Sequence, residues 1–206
     1  MELSRRNLWW CNMKLRELLE RLNNLKSIPR TGWLMCNVPL NQVEDVAQHT
    51  FDVATITLLL ADELGRRGKK LNRERALSMA LVHDWAEASV GDFPDIALKH
   101  IGRRTKERME YKALNDIMRG LQQEKEYLMM LREYNKKSTL EAKLVRAADY
   151  LSMLVQALKY RERGNRSCQL DELWRAVKND LAPYVAEFKP VRELVAELNK
   201  KYTAFH

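Results

Sequence analysis

One short stretch of the sequence, residues 81–92, constrains the fold and the chemistry of this chain more than any other feature. It begins as an apolar run and then presents adjacent His83 and Asp84, followed by Glu87 and Asp92. A histidine beside a carboxylate at the end of an apolar run costs free energy if both are buried without partners. A divalent metal ion compensates both residue types. The stretch therefore predicts a metal site, provided that other segments supply further ligands.

The spacing of apolar residues predicts an all-α protein, a single helical bundle with the metal site in a cleft between helices. No segment shows the alternation typical of a strand, and 7 Gly and 5 Pro allow few tight turns. A charged region over about residues 95–137 also has a helical period. The other predicted helices begin near Met13, Val43, Asn72 and Ser138, and two more cover about residues 170–181 and 190–202.

Terminal signals predict where three features of these helices lie. Asn72 is the expected N-cap of the third helix, and Gly91 is expected to end that helix. Ser138 and Glu141 have the spacing of a capping box. The long helix that follows carries Asp149 among its apolar residues. Asp149 is therefore expected in the interior of the protein.

The length of 206 residues predicts one domain. Residues 1–12 lack a clear period and are interpreted as an N-terminal extension, whereas residues 13–206 form the domain, with the C-terminal helices packed on it. Exposed aromatic side chains would be costly in a monomer. The extension and the last two helices are therefore the expected homodimer surface, with Trp9, Trp10, Trp174 and Tyr184 in it.

Charge and cysteine content narrow the class of protein. Lys and Arg number 36 against 28 Asp and Glu, a net charge of +8 that suits a nucleotide, a nucleic acid or another phosphorylated partner. Three distant cysteines without a CxxC pair argue against a disulfide framework or a zinc knuckle. We find neither a signal peptide nor a membrane span. The expected compartment is the cytoplasm, and no membrane partner is expected.

Four residues stand out as metal ligands by their type, histidine or aspartate, and by their position within predicted helices: His49, His83, Asp84 and Asp149. Imidazoles and carboxylates together suit one divalent transition metal, namely Co, Mn, Fe, Ni or Zn. Adjacent helical residues point about 100° apart, so His83 and Asp84 can share an ion across their common edge. Glu87 is expected on the same side of that helix, where it could accept a proton from water without binding the metal.

The order His, His-Asp, Asp on separate helices resembles the HD-domain metal-dependent phosphohydrolase superfamily. Four segments resemble its 5′-deoxyribonucleotidase branch: residues 30–33 (RTGW), 44–50 (EDVAQHT), 83–87 (HDWAE) and 91–92 (GD). The likeness spans roughly residues 30–158, with the motifs in family order. The departures are modest. Gln48 stands where many relatives have Glu, and Thr50-Phe51 replaces the commoner Ser-Trp.

The resemblance implies a role for each matching position. His49, His83, Asp84 and Asp149 match the metal ligands, and Glu87, together with Asp84, matches the catalytic carboxylates that activate water. The substrate-binding positions are Arg30 and Trp33 for phosphate and sugar, Asp92 near the deoxyribose, and Lys99 facing the phosphate.

The expected activity is metal-dependent hydrolysis of (deoxy)nucleoside 5′-monophosphates to nucleoside and phosphate. An alternative keeps the metal site but uses a nucleoside triphosphate, a cyclic nucleotide or an alarmone. Another alternative is a basic nucleic-acid-binding module with a structural metal; against it stands Glu87, which a structural site does not require. Nucleic acid is therefore not the expected partner.

Overall fold

The structure, a computed structural model, describes residues 14–205. Within that range the protein is helical, and the only strand-like pairing is an isolated bridge between Pro29 and Asp45. The all-α prediction is confirmed. No helix within residues 14–205 combines the length and the apolar content needed to cross a bilayer. The predictions for residues 1–12, including Trp9 and Trp10, lie outside the described residues.

The described residues form a series of helices that we number in chain order. They are residues 14–23 (α1), Thr31–Leu34 (α2), Val46–Arg66 (α3), Arg73–Val82 (α4), Glu87–Val90 (α5), Asp95–Ile101 (α6), Arg103–Met118 (α7), Glu124–Lys136 (α8), Leu140–Glu162 (α9), Cys168–Glu187 (α10) and Lys189–Thr203 (α11). Short 3-10 turns cover Asn24–Ser27 and Leu40–Gln42.

Helix α9 forms the centre of the bundle. Its apolar residues recur every three or four positions, and Leu144, Ala148, Leu151 and Leu154 have no exposed surface. Full burial of a leucine side chain contributes about 1.5–3 kcal/mol. Helices α3, α4, α8, α10 and α11 all pack against α9. Any side chain that α9 directs inward is therefore held in a rigid setting, and this includes Asp149.

Helices α10 and α11 complete the core on one side of α9. Trp174 stacks on Tyr202 with ring centroids 3.8 Å apart, and Trp174 and Tyr184 are only 4% and 5% exposed. The prediction that Trp174 and Tyr184 are exposed at a dimer surface is wrong. The apolar faces of α10 and α11 turn towards the core that α9 shares with them, a long-range contact that helical periodicity does not reveal.

Capping interactions fix where α4 and α9 begin. The Asn72 side chain accepts a hydrogen bond from the backbone three residues later, as predicted. The prediction for α9 is wrong by one residue, because Thr139 and not Ser138 is the N-cap. Glu141 does not close a capping box; it accepts a hydrogen bond of 2.6 Å from the Asn72 N–H. This bond joins the start of α9 to the start of α4.

The predicted third helix is interrupted. Helix α4 ends at Val82, and α5 begins at Glu87 after a tighter turn, in which the Glu87 N–H donates to the Asp84 carbonyl at 3.0 Å. This bond spans three residues instead of four. Gly91 ends α5 as expected, with a φ of 77° that favours glycine. The prediction of one continuous helix to Gly91 is therefore wrong. His83 and Asp84 lie in the turn between α4 and α5 and not inside a helix.

Candidate metal centre

Three helices bring predicted ligand residues to one point. His49 lies on α3, His83 follows the last residue of α4, and Asp149 lies on α9; all three are buried. One ligand atom from each lies within 4.8 Å of the other two. His49 Nε2 and Asp149 Oδ1 are 3.2 Å apart. The structure thus gathers side chains that are far apart in the sequence.

Asp84 completes the group. Its Oδ2 lies 3.1 Å from His83 Nε2 and 3.6 Å from His49 Nε2. Ligand atoms about 2.1 Å from an ion, and at right angles around it, are about 3 Å apart. The separations in this cluster are therefore those of side chains that can bind one ion together.

Hydrogen bonds select the metal-binding tautomer of both imidazoles. His83 Nδ1 lies 2.7 Å from the Ala80 carbonyl, which can only accept, so Nδ1 carries the proton. The Ser152 hydroxyl donates to the Asp149 carbonyl at 2.7 Å and hence accepts from His49 Nδ1 at 3.1 Å. Both Nε2 atoms are left with a lone pair directed at the cluster, as a metal ligand requires.

Buried lone pairs and carboxylate oxygens converge at the centre of the cluster. The Nε2 atoms of His49 and His83 are buried without a hydrogen-bond partner among residues 14–205. Lone pairs and carboxylates that face one another in a buried site repel, and unpaired buried polar groups are costly. A divalent cation would relieve both penalties. The donor set of two imidazoles and two carboxylates, without a cysteine, suits a transition metal.

Tyr134 and Arg146 hold the far side of the Asp149 carboxylate. The Tyr134 hydroxyl donates to Asp149 Oδ2 at 2.7 Å, and Arg146 Nη1 lies 3.1 Å from the same oxygen. The guanidinium also sits over the Tyr134 ring, 3.7 Å from its centroid. Burial favours the neutral acid, but the nearby imidazole of His49 and the charge of Arg146 outweigh it and hold the pKa of Asp149 well below its usual range. Oδ1 is thereby left to face the cluster.

Glu87 lies beside the cluster and is 2% exposed. Its Oε2 has no hydrogen-bond partner in the described part of the chain, and Arg30 Nη1 lies 3.8 Å away. Burial, and then the negative charge of Asp84, raise the pKa of Glu87 well above its ordinary value. A buried carboxyl group with this environment is suited to accept and release a proton.

Asp92 joins the start of α2 to the turn after α5. Its carboxylate accepts from the Thr31 N–H at 2.6 Å and from the Thr31 hydroxyl at 2.8 Å. Arg30 Nη1 donates to Asp92 Oδ1 at 2.9 Å and to Asp84 Oδ2 at 3.4 Å. Asp92 thus fixes the guanidinium of Arg30 beside the cluster, and its contact with a deoxyribose stays a prediction.

Trp33 is held with one edge towards the same space. Its Nε1 donates to Glu44 Oε1 at 2.7 Å, and its ring packs edge-on against Tyr160 with centroids 5.2 Å apart. Burial raises the pKa of Glu44. The indole is therefore a rigid part of the wall, and its role in sugar recognition stays a prediction.

A cavity of about 380 Å³ opens over the cluster. Its lining includes Arg30, Trp33, His83, Asp84, Glu87, Asp92, Tyr134, Arg146 and Asp149, with Arg103, Lys106 and Glu110 from α7 and Gln169, Glu172 and Leu173 from α10. This volume is in the range of small-molecule sites.

The structure does not bring Lys99 to the cavity. Lys99 is exposed on α6 and is not part of the lining within the described residues. Gly102, with a φ of 76°, separates α6 from α7, and the apolar face of α7 packs beside α5. Lys106 on α7 lines the cavity, and Lys99 does not.

Sequence reasoning did not identify Tyr134, Arg146 or Lys106 as site residues. Arg146 precedes Asp149 by three positions on a helix, a spacing at which side chains meet. The contact between the two could therefore have been predicted from the sequence. Tyr134 and Lys106 reach the site only through the packing of α8 and α7, and nothing local in the sequence marks them.

Comparisons with known proteins find related sequences. The sequence model of a family described as "HD domain" matches residues 22–189. The 5′-deoxynucleotidase HDDC2 of Bos taurus is 32% identical over 188 residues, which cover 90% of this chain and 86% of that protein. The 5′-deoxynucleotidase hdd1 of Schizosaccharomyces pombe is 32% identical over 166 residues, covering 78% and 79%.

Solved structures show the same fold. A conserved hypothetical protein from Pyrococcus furiosus aligns with a TM-score of 0.76 and 38% identity, covering 89% of this chain and 98% of that one. An HD-domain phosphohydrolase from Listeria innocua aligns with a TM-score of 0.74 and 22% identity, covering 92% and 90%. At that lower identity, the second likeness concerns the fold alone.

Proposed function

Because this chain belongs to the HD-domain family, we propose that it is a metal-dependent phosphomonoesterase that hydrolyses (deoxy)nucleoside 5′-monophosphates to nucleoside and phosphate. One observation carries the proposal. The unpaired Nε2 atoms of His49 and His83 and the unpaired Oε2 of Glu87 converge in one buried site. Relatives that cover most of the chain are named 5′-deoxynucleotidases, which supports the choice of substrate.

His49, His83, Asp84 and Asp149 would hold one divalent transition metal: Co, Mn, Fe, Ni or Zn. Such an ion, when bound, supplies a Lewis acid that activates water and offsets charge on phosphoryl oxygens. The rest of the site acts through its own side chains. Ser152 and the Ala80 carbonyl keep the two imidazoles in the required tautomer.

Glu87 would accept the proton of the attacking water. As the new bond to phosphorus forms, the bond from phosphorus to the 5′ oxygen breaks, and the nucleoside oxygen leaves with the proton that Glu87 accepted from the water. Arg30 can bind the phosphate because its guanidinium is already fixed at the site by Asp92. Asp84 would serve both as a ligand and as part of the charge environment that raises the pKa of Glu87.

The remainder of the cavity would hold the nucleoside. Trp33 presents a rigid aromatic edge, and Asp92 lies between the start of α2 and the cluster. We assign them to the sugar side of the substrate. Leu173 on α10 supplies an apolar part of the cavity lining, where a nucleobase can pack.

A nucleotide panel tests the proposed function. We expect purified protein loaded with Co²⁺ or Mn²⁺ to release inorganic phosphate from deoxynucleoside 5′-monophosphates, because the site combines the required ligands, proton acceptor and cation. Colorimetric phosphate detection would measure it, with chelator-treated protein as the control. Phosphate release from none of the monophosphates would refute the proposal. Turnover of only triphosphates, cyclic nucleotides or an alarmone, or salt-dependent nucleic-acid binding without hydrolysis, would establish one of the alternatives.

We also propose that the protein is a cytoplasmic homodimer. Phe51 and Leu59 support the dimer, because they are 70% and 63% exposed and lie two turns apart on one face of α3. Light scattering at micromolar concentration should give twice the chain mass of 24.3 kDa. Phe51→Glu is expected to shift the mass towards the monomer. A monomeric mass for the unaltered protein would exclude the dimer.

A further inference from the structure

Helix α7 carries an ion pair on the cavity side. Lys106 and Glu110 both line the cavity, and Lys106 Nζ lies 3.4 Å from Glu110 Oε1. Their side chains are only 22% and 13% exposed. The next turn of α7 buries Ala113 and Leu114 in the core that includes Ala88 of α5. The pair is therefore held on a packed helix, with its charged ends in the cavity.

The two arginines nearest the cluster are already engaged with carboxylates. Arg30 Nη1 lies within 3.8 Å of carboxylate oxygens of Asp84, Glu87 and Asp92. Arg146 is held by Asp149 and by the ring of Tyr134, as described above. The contacts of Arg30 are made by Nη1, so its other nitrogens remain for the phosphate. A phosphate monoester that enters this space nevertheless meets several carboxylates, so it gains from a further cation that has donors to spare.

Lys106 has such donors. An ammonium group has three N–H donors, and Glu110 is its one ion-pair partner within residues 14–205. Burial opposes the charge, but the negative charges of Glu110, Glu87 and Asp84 outweigh it and raise the pKa of Lys106. The side chain is thus a cation at neutral pH, and Glu87 and Asp84 are close enough to contribute to its field.

We propose that Lys106 binds a phosphoryl oxygen of the substrate and that Glu110 is a positioning residue that directs the ammonium to that oxygen. This inference rests on the proposed function, since it assigns a further contact in the same site. The alternative is an ordinary helical pair at positions i and i+4, which adds only slightly to stability and has no effect on phosphate.

Binding of inorganic phosphate, the expected product, tests the inference without turnover. Isothermal titration of metal-loaded protein at low salt is expected to show affinity that falls at least about 10-fold in Lys106→Met, because a charge-assisted contact is lost. Lys106→Arg should retain most of the affinity. Lys112→Met is the matched control, because Lys112 is exposed on the same helix and outside the cavity lining.

Kinetics separate binding from positioning. Lys106→Met should raise KM for a nucleoside monophosphate more than it lowers kcat, as expected for a contact made in both ground and transition states. Glu110→Gln should give a smaller rise in KM, because the amide oxygen still accepts from the ammonium. A purely structural role predicts unchanged KM and phosphate affinity in every variant with native thermal stability.

The outcomes are distinct. Phosphate affinity in Lys106→Met equal to that of the unaltered protein, or no phosphate binding by the unaltered protein, overturns the inference. If Lys106→Met does not fold, the same titration of Lys106→Gln decides. If phosphate binding depends on Lys106 but no nucleoside monophosphate is hydrolysed, the phosphate contact stands and the proposed nucleotidase function fails.

Discussion

Replacing Glu87 with glutamine is expected to lower kcat by about 10²–10⁴-fold, the usual contribution of a positioned general base. The amide has nearly the same shape, so packing around this buried position should be retained, but it cannot accept the proton of the attacking water. Metal affinity should change little, since the four predicted ligand residues are untouched. The measurements are kcat for a deoxynucleoside monophosphate and the metal content of the purified protein.

Glu74→Gln serves as the matched control, because Glu74 is an exposed residue on α4. It should leave kcat unchanged. A Glu87→Gln protein with full metal content and kcat within about threefold of the unaltered enzyme, against the larger factor expected of a general base, would remove Glu87 from the mechanism. Loss of metal together with activity would instead mean that Glu87 is a ligand.

Metal binding is expected to account for a large part of the stability of the loaded protein. A ligand present at about 1,000 times its dissociation constant stabilises the folded state by about 4 kcal/mol. For a chain of this size that corresponds to roughly 8–16 °C in Tm. Asp149→Asn should abolish most of this increment, because it removes a negatively charged ligand from the cluster. Thermal unfolding with and without metal, read beside metal analysis, measures the effect.

The same variant also tests the support that surrounds Asp149. Its carboxylate is the partner of Arg146 and Tyr134, and removing one member of a buried pair costs about 3–5 kcal/mol. Asp149→Asn is therefore expected to be less stable even without metal. Asp116→Asn, on an exposed part of α7, provides the control. A metal-dependent rise in Tm that is as large in Asp149→Asn as in the unaltered protein would exclude Asp149 as a ligand.

The residues that gather at the cluster could be predicted because local patterns carry the information. Asp149 interrupts a strict apolar period on α9, and the His-Asp pair ends the apolar run of α4; a polar residue at an inward position needs a partner. The Asn72 cap and the Gly91 terminus follow from short-range chemistry. These signals need no knowledge of which helix packs on which.

The parts that could not be predicted depend on packing between distant helices. Trp174 and Tyr184 were predicted to be exposed because the sequence of an amphipathic helix does not show which other helix covers its apolar face. Lys106 lines the cavity and Lys99 does not, although Ile96 and Leu98 on the same helix as Lys99 do. The difference depends on the rotation of α6 about its own axis, which the packing of the helix sets. The helix breaks after Val82 because the backbone hydrogen bonds there span three residues instead of four. The local sequence favours neither spacing strongly, so it does not predict the break.

The hydrogen bond between His49 and Ser152 spans 103 residues of sequence, and this separation has a consequence for the order of events during synthesis. The cluster does not exist until α9 has been made and has packed against α3. A chain still emerging from the ribosome can offer at most isolated histidines and carboxylates, which bind ions weakly. Metal binding is therefore expected late in folding, only in chains whose helix α9 has already packed against α3.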